Sequence, residues 1–326
     1  MNKAIVIGSN SFSGSSFVKY LLKKNFKVIG ISRSIQKKNI FCLHNKRHKN
    51  FLFKRLDINK NLNQIINLIS KHKIKYVINY ASQSMVSQSW DNPEDWFKTN
   101  SFSIPYLYNE LSKLKKIRLV HISTPEVYGN TSKKVFEDHH FNPSTPYAVS
   151  RCTADNFLSI LSKQKKINFV GVRAANVYGE CQDGFRIIPK AIINLNKKIP
   201  LELHGGGNSM RSFIHIDDVS EATYQIMKKG RSGHFYHVSN NEYIKIKNLI
   251  KKICKLLNIS FKKVTKITKE RTGKDFFYKL SSSKIRNELN WNPKINLNNG
   301  INRVLSWYKL NRKKIRKSDT FYTHKK

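Results

Sequence analysis

The stretch that decides the fold is residues 3–14, KAIVIGSNSFSG. Residues 3–7 form a short apolar run typical of a buried strand, and Gly8, Ser11 and Gly14 follow at GxxGxxG spacing, with serine in the middle place. A turn of small residues between a strand and a helix lets backbone N–H groups and the helix dipole face a pyrophosphate. We therefore predict a phosphate-binding turn. In it, Ser11 either crowds the phosphate slightly or offers it a hydroxyl.

Length and composition are those of a globular protein. The 326 residues suffice for one large α/β domain with an attached lobe, and 39% hydrophobic with 25% charged residues excludes a disordered or collagen-like chain. The net charge of +41 comes mostly from lysines spread along the whole chain. Such an even spread indicates the amino-acid bias of the source genome and not a dedicated basic tract, so nucleic acid is not the expected partner. A basic surface nevertheless attracts phosphorylated ligands.

Cysteines and apolar runs indicate the compartment. Cys42, Cys152, Cys181 and Cys254 are scattered without a CxxC pair, so we expect neither a disulfide framework nor a metal site. The apolar run before Gly8 is too short for a signal peptide, and no run reaches the roughly 18 apolar residues of a membrane span. We expect a cytoplasmic protein without membrane insertion.

Strand-like and helical patterns alternate through the first two-thirds of the chain. The predicted strands are residues 3–7, 27–31, 75–80, 117–123 and 168–173, with helices that include 62–69 and 96–114. Near-continuous apolar strands between helices favour a parallel sheet covered on both faces. The predicted fold class is α/β: a Rossmann-type doubly wound parallel sheet with a smaller, mostly C-terminal α/β substrate lobe.

Later segments complete this prediction. Helices are predicted over residues 187–195, 217–227, 246–257 and 297–310, with a strand over 234–238. We assign residues 1–175 and 212–242 to the dinucleotide-binding domain, and 176–211 and 243–326 to the lobe. The basic tail from Arg312 is expected to be a frayed end, or a tail that contacts anions.

The end of the second predicted strand bears on the choice of cofactor. A fold that prefers NAD places a carboxylate there to bind the ribose 2′-hydroxyl, whereas this chain has Ser32, Arg33 and Ser34. A guanidinium flanked by hydroxyls suits a 2′-phosphate, so NADP is favoured and NAD is the second choice. Alternatively, Arg33 is one more surface cation.

Two further segments carry the catalytic pattern. The fifth predicted strand runs into HISTPEVYG, residues 121–129, and Tyr147 precedes Arg151 by four residues at a predicted helix start. Residues four apart share a helix face, and a cation there helps a phenol to ionise. Together with the βα turn, these segments resemble the extended short-chain dehydrogenase/reductase family, closest to the nucleotide-sugar 4,6-dehydratases of GDP-mannose or dTDP-glucose type.

The resemblance implies four catalytic residues: Thr124, Glu126, Tyr147 and Arg151. Tyr147 would act as the base at the sugar 4-hydroxyl, with Thr124 sharing that proton. Glu126 would remove the C5 proton before water leaves from C6. The chain departs from the family twice, with Arg151 in place of lysine and Pro125 where some members have an aspartic acid. Without the resemblance, Thr124 is equally well a strand cap. The alternative for Glu126, a surface carboxylate at a strand end, is less favoured, because functional residues gather at the carboxyl ends of such strands.

The resemblance also implies the residues that contact ligands. For the cofactor these are Gly8, Asn10, Ser11, Phe12, Gly14, Ser32, Arg33, Asp57, Ile58, Tyr80, Ala81, Ser82, Asn100, Tyr147 and Arg151. Asn100 would hold a water near Tyr147, or else be a solvated or capping residue. Asp57 would border adenine or stabilise a turn. For the substrate they are Gln83, Ser84, Asn176, Arg186, Lys190, Arg211 and Arg271.

Among the substrate residues, Asn176 and Arg211 would contact the diphosphate, unless Arg211 only pairs with Asp217 or Asp218. The predicted substrate is a nucleotide-diphosphate hexose, and the predicted assembly is a homodimer through a four-helix contact. The predicted activity is a nucleotide-sugar 4,6-dehydratase. The alternatives are a decarboxylase or 4-epimerase on the same scaffold, and a non-catalytic NADP-sensing or nucleic-acid-binding homologue.

Overall fold

The computed structural model describes residues 1–114, 116–131, 133–240, 242–270 and 277–324, the side chains of Lys317 and Ser318 excepted. Its strands are β1 (Lys3–Ile7), β2 (Lys27–Ser32), β3 (Phe51–Arg55), β4 (Tyr76–Asn79), β5 (Arg118–Ser123), β6 (Lys134–Val135), β7 (Phe169–Ala174), β8 (Asn176–Tyr178), β9 (Leu201–His204), β10 (Met210–Arg211), β11 (Phe213–His215), β12 (His234–Val238), β13 (Ile244–Lys245), β14 (Thr265–Thr268) and β15 (Lys279–Leu280). Its helices are α1 (Phe12–Lys23), α2 (Leu62–Lys71), α3 (Gln88–Asp91), α4 (Pro93–Phe97), α5 (Ser103–Ser112), α6 (Pro146–Lys163), α7 (Ile187–Asn196), α8 (Ile216–Lys229), α9 (Ile246–Leu256), α10 (Phe261–Val264), α11 (Ser283–Leu289) and α12 (Leu297–Asn311).

A seven-stranded sheet forms the centre of the molecule. Its order is β12-β7-β5-β4-β1-β2-β3, and every neighbouring pair is parallel. The carboxyl ends of β1, β4 and β5 therefore meet at one edge, where ligands bind in open α/β sheets. The predicted fold class is confirmed. The sequence reading omitted β3, an outer strand whose residues are half-buried or exposed, so it lacks the continuous apolar run of a central strand.

Helices cover the sheet on both faces. Phe17 and Leu21 of α1 lie in one apolar cluster with Ile226 of α8, and Ile285 of α11 joins the same layer. On the opposite face, α2, α5 and α6 contribute side chains such as Ile65, Leu107 and Leu158 to a second cluster. These apolar residues recur at helical spacing, and that spacing predicted the helices from the sequence.

The predicted helix 96–114 is interrupted in the structure. Between α4 and α5, residues Lys98–Phe102 form a π-helical turn. Asn100 lies in this turn and is fully buried, and its side chain bonds across to the backbone of Gln83. Single π turns inside helices often occur at functional sites. The turn places Asn100 beside the loop that follows β4.

The lobe is built around α7, α9 and α12. Ile192, Ile253 and Ile301 meet in its apolar core, which also takes in Phe41 and Phe213 from outside the residues assigned to the lobe. The domain boundaries given above stay a prediction. No helix within the described ranges is long and apolar enough to cross a membrane.

The C-terminal residues are ordered against the rest of the molecule. Lys317–Thr320 forms a 3-10 turn, and Thr320 is only 2% exposed. The ring of Tyr322 lies 5.2 Å from that of Phe185. Expecting a frayed end was wrong for residues 319–324, because their contacts are with residues far away in sequence, and local composition does not show them.

Candidate active site

The βα turn has the geometry of a phosphate cradle. Gly8 adopts φ of +85°, which favours glycine, and a Cβ on Gly14 would lie 2.3 Å from the carbonyl oxygen of Gly8. Ser11 caps α1: its hydroxyl accepts from the N–H of Gly14 and donates to the Gly8 carbonyl oxygen at 2.8 Å. The hydroxyl is thus engaged within the turn, although Ser11 and Phe12 border the cleft above it.

Asn10 ties this turn to the segment that follows β2. Its backbone N–H donates to Ser32 Oγ at 2.9 Å, and its Nδ2 donates to the carbonyl oxygens of Ser34 and Ile35 at 2.9 and 2.8 Å. Arg33 lies between these anchored residues, at the end of β2. The side chain of Asn10 thereby holds the loop that would meet the adenosine part of a dinucleotide.

Asp57 stabilises a turn after β3. Its Oδ1 accepts from the N–H of Asn59 at 2.8 Å, and its own N–H donates to Asn61 Oδ1 at 2.9 Å. Ile58 is buried in the apolar layer under α2. The structure shows Asp57 in the turn role that was one of its two predicted readings. Contact of Asp57 and Ile58 with adenine stays a prediction.

One cleft of about 810 Å³ lies between the sheet edge and the lobe. Its volume falls in the range of ligand pockets. The cleft brings together most of the predicted catalytic and substrate residues. Those on its wall are Ser11, Phe12, Tyr80, Ser82, Ser84, Thr124, Glu126, Tyr147, Arg151, Asn176, Arg186, Lys190 and Arg211. Gly8, Gly14, Ala81, Gln83 and Asn100 belong to the loops and the turn that support it.

Thr124 and Glu126 leave β5 together. Pro125 opens a 3-10 turn, Pro125–Tyr128, and Thr124 is its N-cap residue. The Thr124 hydroxyl donates to the Glu126 carboxylate and accepts from the Glu126 N–H at 3.4 Å. Thr124 is thus a cap and also faces the cleft, so its two predicted roles coexist. Pro125 occupies the place where some family members have an aspartic acid, so Glu126 is the one carboxylic acid of the turn Pro125–Tyr128.

Tyr147 is placed by the start of α6. Thr145 caps the helix, accepting from the N–H of Ala148 at 3.1 Å, and Pro146 occupies the first turn. The Tyr147 side chain is 8% exposed. Burial and the charge of Glu126 raise the pKa of its phenol to about 12, while Arg151, Thr124 and Arg186 act in the opposite direction. The phenol therefore needs nearby cations to act as a base.

Arg151 lies one helical turn beyond Tyr147 and is 2% exposed. Its Nη2 donates to the carbonyl oxygen of Ile122, at the end of β5. In the part of the chain that the structure describes, its buried Nε has no hydrogen-bond partner. Buried donors are rarely left unpaired, so this N–H suits a ligand hydroxyl or ribose oxygen. This N–H of Arg151 and the glycine cradle after β1 are therefore both suited to binding a dinucleotide.

Asn100 acts on the loop after β4. Its Oδ1 accepts from the Gln83 N–H at 2.9 Å, and its Nδ2 donates to the Gln83 carbonyl at 2.9 Å and to Ser150 Oγ at 3.0 Å. These bonds fix Gln83 against α6. The structure therefore shows Asn100 as a positioning residue, a role that the prediction of a water-holding amide did not include.

A buried charge cluster that sequence reasoning missed lies under the catalytic residues. Asp155 accepts from Arg173 Nη2 at 2.8 Å, from Ser123 Oγ at 2.7 Å and from His121 Nε2 at 3.1 Å. Burial alone would raise the pKa of Asp155, but Arg173 and His121 lower it to about 2. The cluster anchors Ser123, and with it the strand end that carries Thr124. Its only signal in the sequence is the placement of Asp155 two turns beyond Tyr147.

The lobe contributes polar groups to the opposite wall. Asn176 Nδ2 lies 3.3 Å from the Tyr278 hydroxyl, and the Arg211 guanidinium lies 5.2 Å from the Tyr278 ring centroid. Asp217, one of the two alternative partners predicted for Arg211, binds Arg303 at 2.6 Å. Asn176 and Arg211 thus share one wall of the cleft. Their contact with a diphosphate stays a prediction.

Arg186 extends from the lobe towards the catalytic residues. Its Nη2 donates to Ser84 Oγ at 3.0 Å, and its charge is one of those that lower the pKa of Tyr147. Lys190, one turn later, lies 6.0 Å from the ring centroid of Phe321. Arg271, also predicted to bind substrate, lies outside the described residues. Within those residues, no group of three or more His, Cys, Asp or Glu side chains could hold a metal ion.

The sheet order, the glycine turn after β1 and the four-residue spacing of Tyr147 and Arg151 are typical of dinucleotide-dependent enzymes of the extended short-chain dehydrogenase/reductase type. A model of the family described as GDP-mannose 4,6 dehydratase matches residues 5–304, and the chain belongs to that family. It is 28% identical to the dTDP-glucose 4,6-dehydratase of Haemophilus influenzae, over 95% of this chain and 99% of that protein.

Two solved structures are similar to this one. A dTDP-glucose 4,6-dehydratase from Bacillus anthracis in complex with NAD gives a TM-score of 0.87 at 26% identity, covering 96% of this chain and 98% of that one. A UDP-glucuronic acid 4-epimerase from Bacillus cereus, in complex with UDP-glucuronic acid and NAD, gives 0.86 at 26% identity, covering 94% and 99%. The predicted family and the predicted activity class, a nucleotide-sugar 4,6-dehydratase, are confirmed. Both neighbours hold NAD, so a nicotinamide dinucleotide is supported, whereas the predicted preference for NADP is not.

Replacing Arg151 by methionine is expected to remove a charge that favours the Tyr147 phenolate. Activity rises with pH as the phenol ionises, so losing the cation moves that rise to higher pH. A neighbouring opposite charge shifts a pKa by about one unit or more. We expect the rising limb of kcat/KM against pH to move up by about that much. Arg151→Lys, the matched control, should stay within about half a unit. An unshifted methionine profile would remove the electrostatic role of Arg151.

Proposed function

We propose that the protein converts a nucleotide-diphosphate hexose into its 4-keto-6-deoxy product, with Tyr147 and Glu126 as the proton-transfer groups. The observation that carries the proposal is that both side chains border one cleft and that the charge of Glu126 raises the pKa of Tyr147. Two such groups on one cleft can serve two carbons of one sugar ring. Ser11 and Phe12 of the glycine turn border the same cleft.

The first proton transfer belongs to Tyr147. As the phenolate, favoured by Arg151, it takes the proton of the sugar 4-hydroxyl, and Thr124 borders the same oxygen. A bound nicotinamide would supply the hydride chemistry, as the acceptor at C4 and the donor at C6. Arg151 and the loop held by Asn100 orient the cofactor and the sugar.

The second transfer belongs to Glu126. Oxidation at C4 acidifies the C5 proton, which the carboxylate removes. The electron pair of that C–H bond forms the C5–C6 double bond as the C6–O bond breaks. Glu126 then gives the same proton to the departing hydroxide, and water leaves. Pro125 cannot donate a proton, so Glu126 serves both steps, and its bond from Thr124 holds it in place. C5 finally takes a proton from solvent.

Basic groups of the lobe would bind the substrate. Arg211 and Asn176 lie on one wall, where a guanidinium can meet two phosphate oxygens at once. Arg186 and Lys190 lie nearer to Tyr147 on the same cleft. This distribution supports a substrate with its diphosphate at Arg211 and its sugar at Tyr147.

A second candidate is a 4-epimerase or decarboxylase acting on a sugar with a C6 carboxylate. The similarity to the UDP-glucuronic acid 4-epimerase of Bacillus cereus favours it, as does the position of Arg186 beside Tyr147. A guanidinium there would suit a carboxylate. The dehydratase is preferred because an epimerase has no need of Glu126.

The finer choice of cofactor rests on Arg33. We infer that a 2′-phosphate would meet its guanidinium at the end of β2, on the loop anchored by Asn10. NADP remains our first proposal on that ground, and NAD the second on the ground of the similar structures.

A homodimer is the proposed assembly. Val149 and Ile160 of α6 are 39% and 60% exposed, and Phe102 and Tyr106 beside them are 66% and 58% exposed. Apolar side chains repeated along two adjacent helices are typical of a covered face. Two copies joined there would form a four-helix contact.

The activity is tested by incubating the protein with GDP-, dTDP-, UDP- and CDP-hexoses and with UDP-glucuronic acid. Mass spectrometry then gives the mass of each product. We expect loss of one water from a hexose. Glu126→Gln should keep cofactor binding and lose at least about a hundredfold in dehydration, the lower end for a general acid–base group. Glu94→Gln, at an exposed carboxylate of α4 outside the cleft lining, is the matched control. Unchanged mass with inverted C4, or loss of carbon dioxide, would favour the second candidate. Wild-type dehydration by Glu126→Gln would contradict the assigned role.

Cofactor preference is tested with Arg33→Ala. We expect its Kd for NADPH to rise about tenfold more than its Kd for NADH, the worth of one charge-assisted bond. Fluorescence titration measures both. Lys54→Ala, an exposed cation on neighbouring β3, is the control for general charge effects. Equal losses for the two dinucleotides would remove Arg33 from 2′-phosphate recognition.

The assembly is tested with Ile160→Glu. A charge on the exposed apolar face of α5 and α6 is expected to give monomers at a concentration where the wild type is dimeric, as measured by light scattering. Ile267→Glu, on exposed β14 of the lobe, should remain dimeric. A monomeric wild type, or a dimeric Ile160→Glu variant, would exclude this interface.

A further inference from the structure

Residues 319–324, which we name the C-terminal strap, lie along the cleft. At the lobe end the strap is seated closely: a Cβ on Gly184 would lie 2.6 Å from the carbonyl oxygen of Asp319. That approach is shorter than side chains tolerate, so glycine at 184 is required for it. Thr320, which follows, is buried. The start of the strap therefore has a specific contact.

The middle of the strap forms part of the cleft wall. Phe321 and Tyr322 both border the cleft, beside Phe185, Arg186 and Lys190. The Tyr322 and Phe185 rings meet edge to face, with centroids 5.2 Å apart at 72°. This is a favourable aromatic geometry.

The far end of the strap reaches the sheet domain. His324 Nε2 lies 2.6 Å from Asp95 Oδ2, and its ring stacks on Trp96 with centroids 5.1 Å apart at 21°. Asp95 and Trp96 belong to α4, which packs on α6, the helix that carries Tyr147. The strap thus bridges the lobe and the sheet domain across the mouth of the site.

The phenol of Tyr322 is affected by one cation from each of the two predicted ligand regions. Burial raises the pKa of its phenol, and Arg186 and Arg33 oppose that rise. Arg33 lies at the end of β2, where the adenosine part of a dinucleotide would bind, and Arg186 lies near Tyr147. Lys37, four residues beyond Arg33, binds Asp183 at 2.6 Å, directly before the glycine on which the strap is seated. The strap therefore lies beside the loop that follows β2 as well as beside Arg186. The cleft still has about 810 Å³ with the strap in place, so the strap borders the site without filling it.

We propose that the C-terminal strap retains the bound dinucleotide, and that the ring of Tyr322 is a positioning residue of its binding site. This rests on the proposed function in one respect: a dehydratase returns the hydride to its own product, so each turnover leaves the dinucleotide ready for the next. An enzyme of that kind has no need to exchange its cofactor in each cycle. A wall that slows release is compatible with full activity.

The test measures dinucleotide release by stopped-flow fluorescence, with NADH and NADPH in separate runs, displaced by excess oxidised dinucleotide. Truncation after Ser318 removes the strap and should speed release about tenfold, equivalent to about 1.4 kcal/mol. Tyr322→Ala should speed it severalfold, and Tyr322→Phe, which keeps the ring, should stay within about twofold. Truncation after His324 is the matched control and should match the wild type.

Unchanged release in the truncated chain and in Tyr322→Ala would overturn the proposal. Slower release from the truncated chain would also overturn the proposal, because the strap would then hinder dinucleotide binding instead of retaining the dinucleotide. Asp95→Asn, in the full-length chain, weakens the contact with His324 and should also speed release. This variant keeps the proposal testable if the truncated chain fails to fold. Product mass is followed on the same samples. Faster release without dehydration by any variant or the wild type counts against the proposed function and leaves the strap standing, whereas dehydration with unaltered release overturns the strap alone.

Discussion

The buried phenol of Tyr147, held between one carboxylate and two guanidiniums, is the constraint on which the active site depends. Burial and Glu126 oppose its ionisation, and Arg151 and Arg186 favour it. The phenol must lie near Glu126 for both to reach one sugar ring, and that proximity makes the phenolate less favourable. The cations offset this penalty. One of them comes from α6 and the other from the lobe, so the reactivity of Tyr147 depends on both halves of the molecule.

The fold supplies this arrangement through contacts beneath the site. Asp155 anchors the end of β5 through Ser123, Asn100 holds the loop after β4 through Gln83, and Thr145 sets the start of α6. These side chains are buried and hydrogen-bonded, so they hold strand and helix ends in fixed positions. Reacting groups on several elements need such support, because a small displacement lowers catalysis strongly.

Local patterns in the sequence were enough for the architecture and for much of the site. The apolar run before Gly8, the small residues of the turn and the four-residue spacing of Tyr147 and Arg151 are all short-range features, and each has its expected place. Features that depend on distant contacts were not accessible. The π turn at Asn100 is stabilised by Gln83, β3 is an exposed outer strand, and Tyr322 meets Phe185 far away in sequence. The spacing of apolar residues along the sequence does not predict such contacts. Arg33 shows a further limit, because its position at the end of β2 was predictable while its ligand was not.

The central claim, that Tyr147 and Glu126 act on one ring beneath a single nicotinamide, is tested most directly by isotope tracing. A nucleotide hexose with deuterium at C4 is converted in ordinary water, and the unlabelled sugar is converted in heavy water. Mass spectrometry and NMR then locate the label. The account predicts that the C4 deuterium moves to C6 of the same molecule, and that heavy water places one deuterium at C5. Loss of the C4 label to solvent, or a product without solvent deuterium at C5, would contradict it.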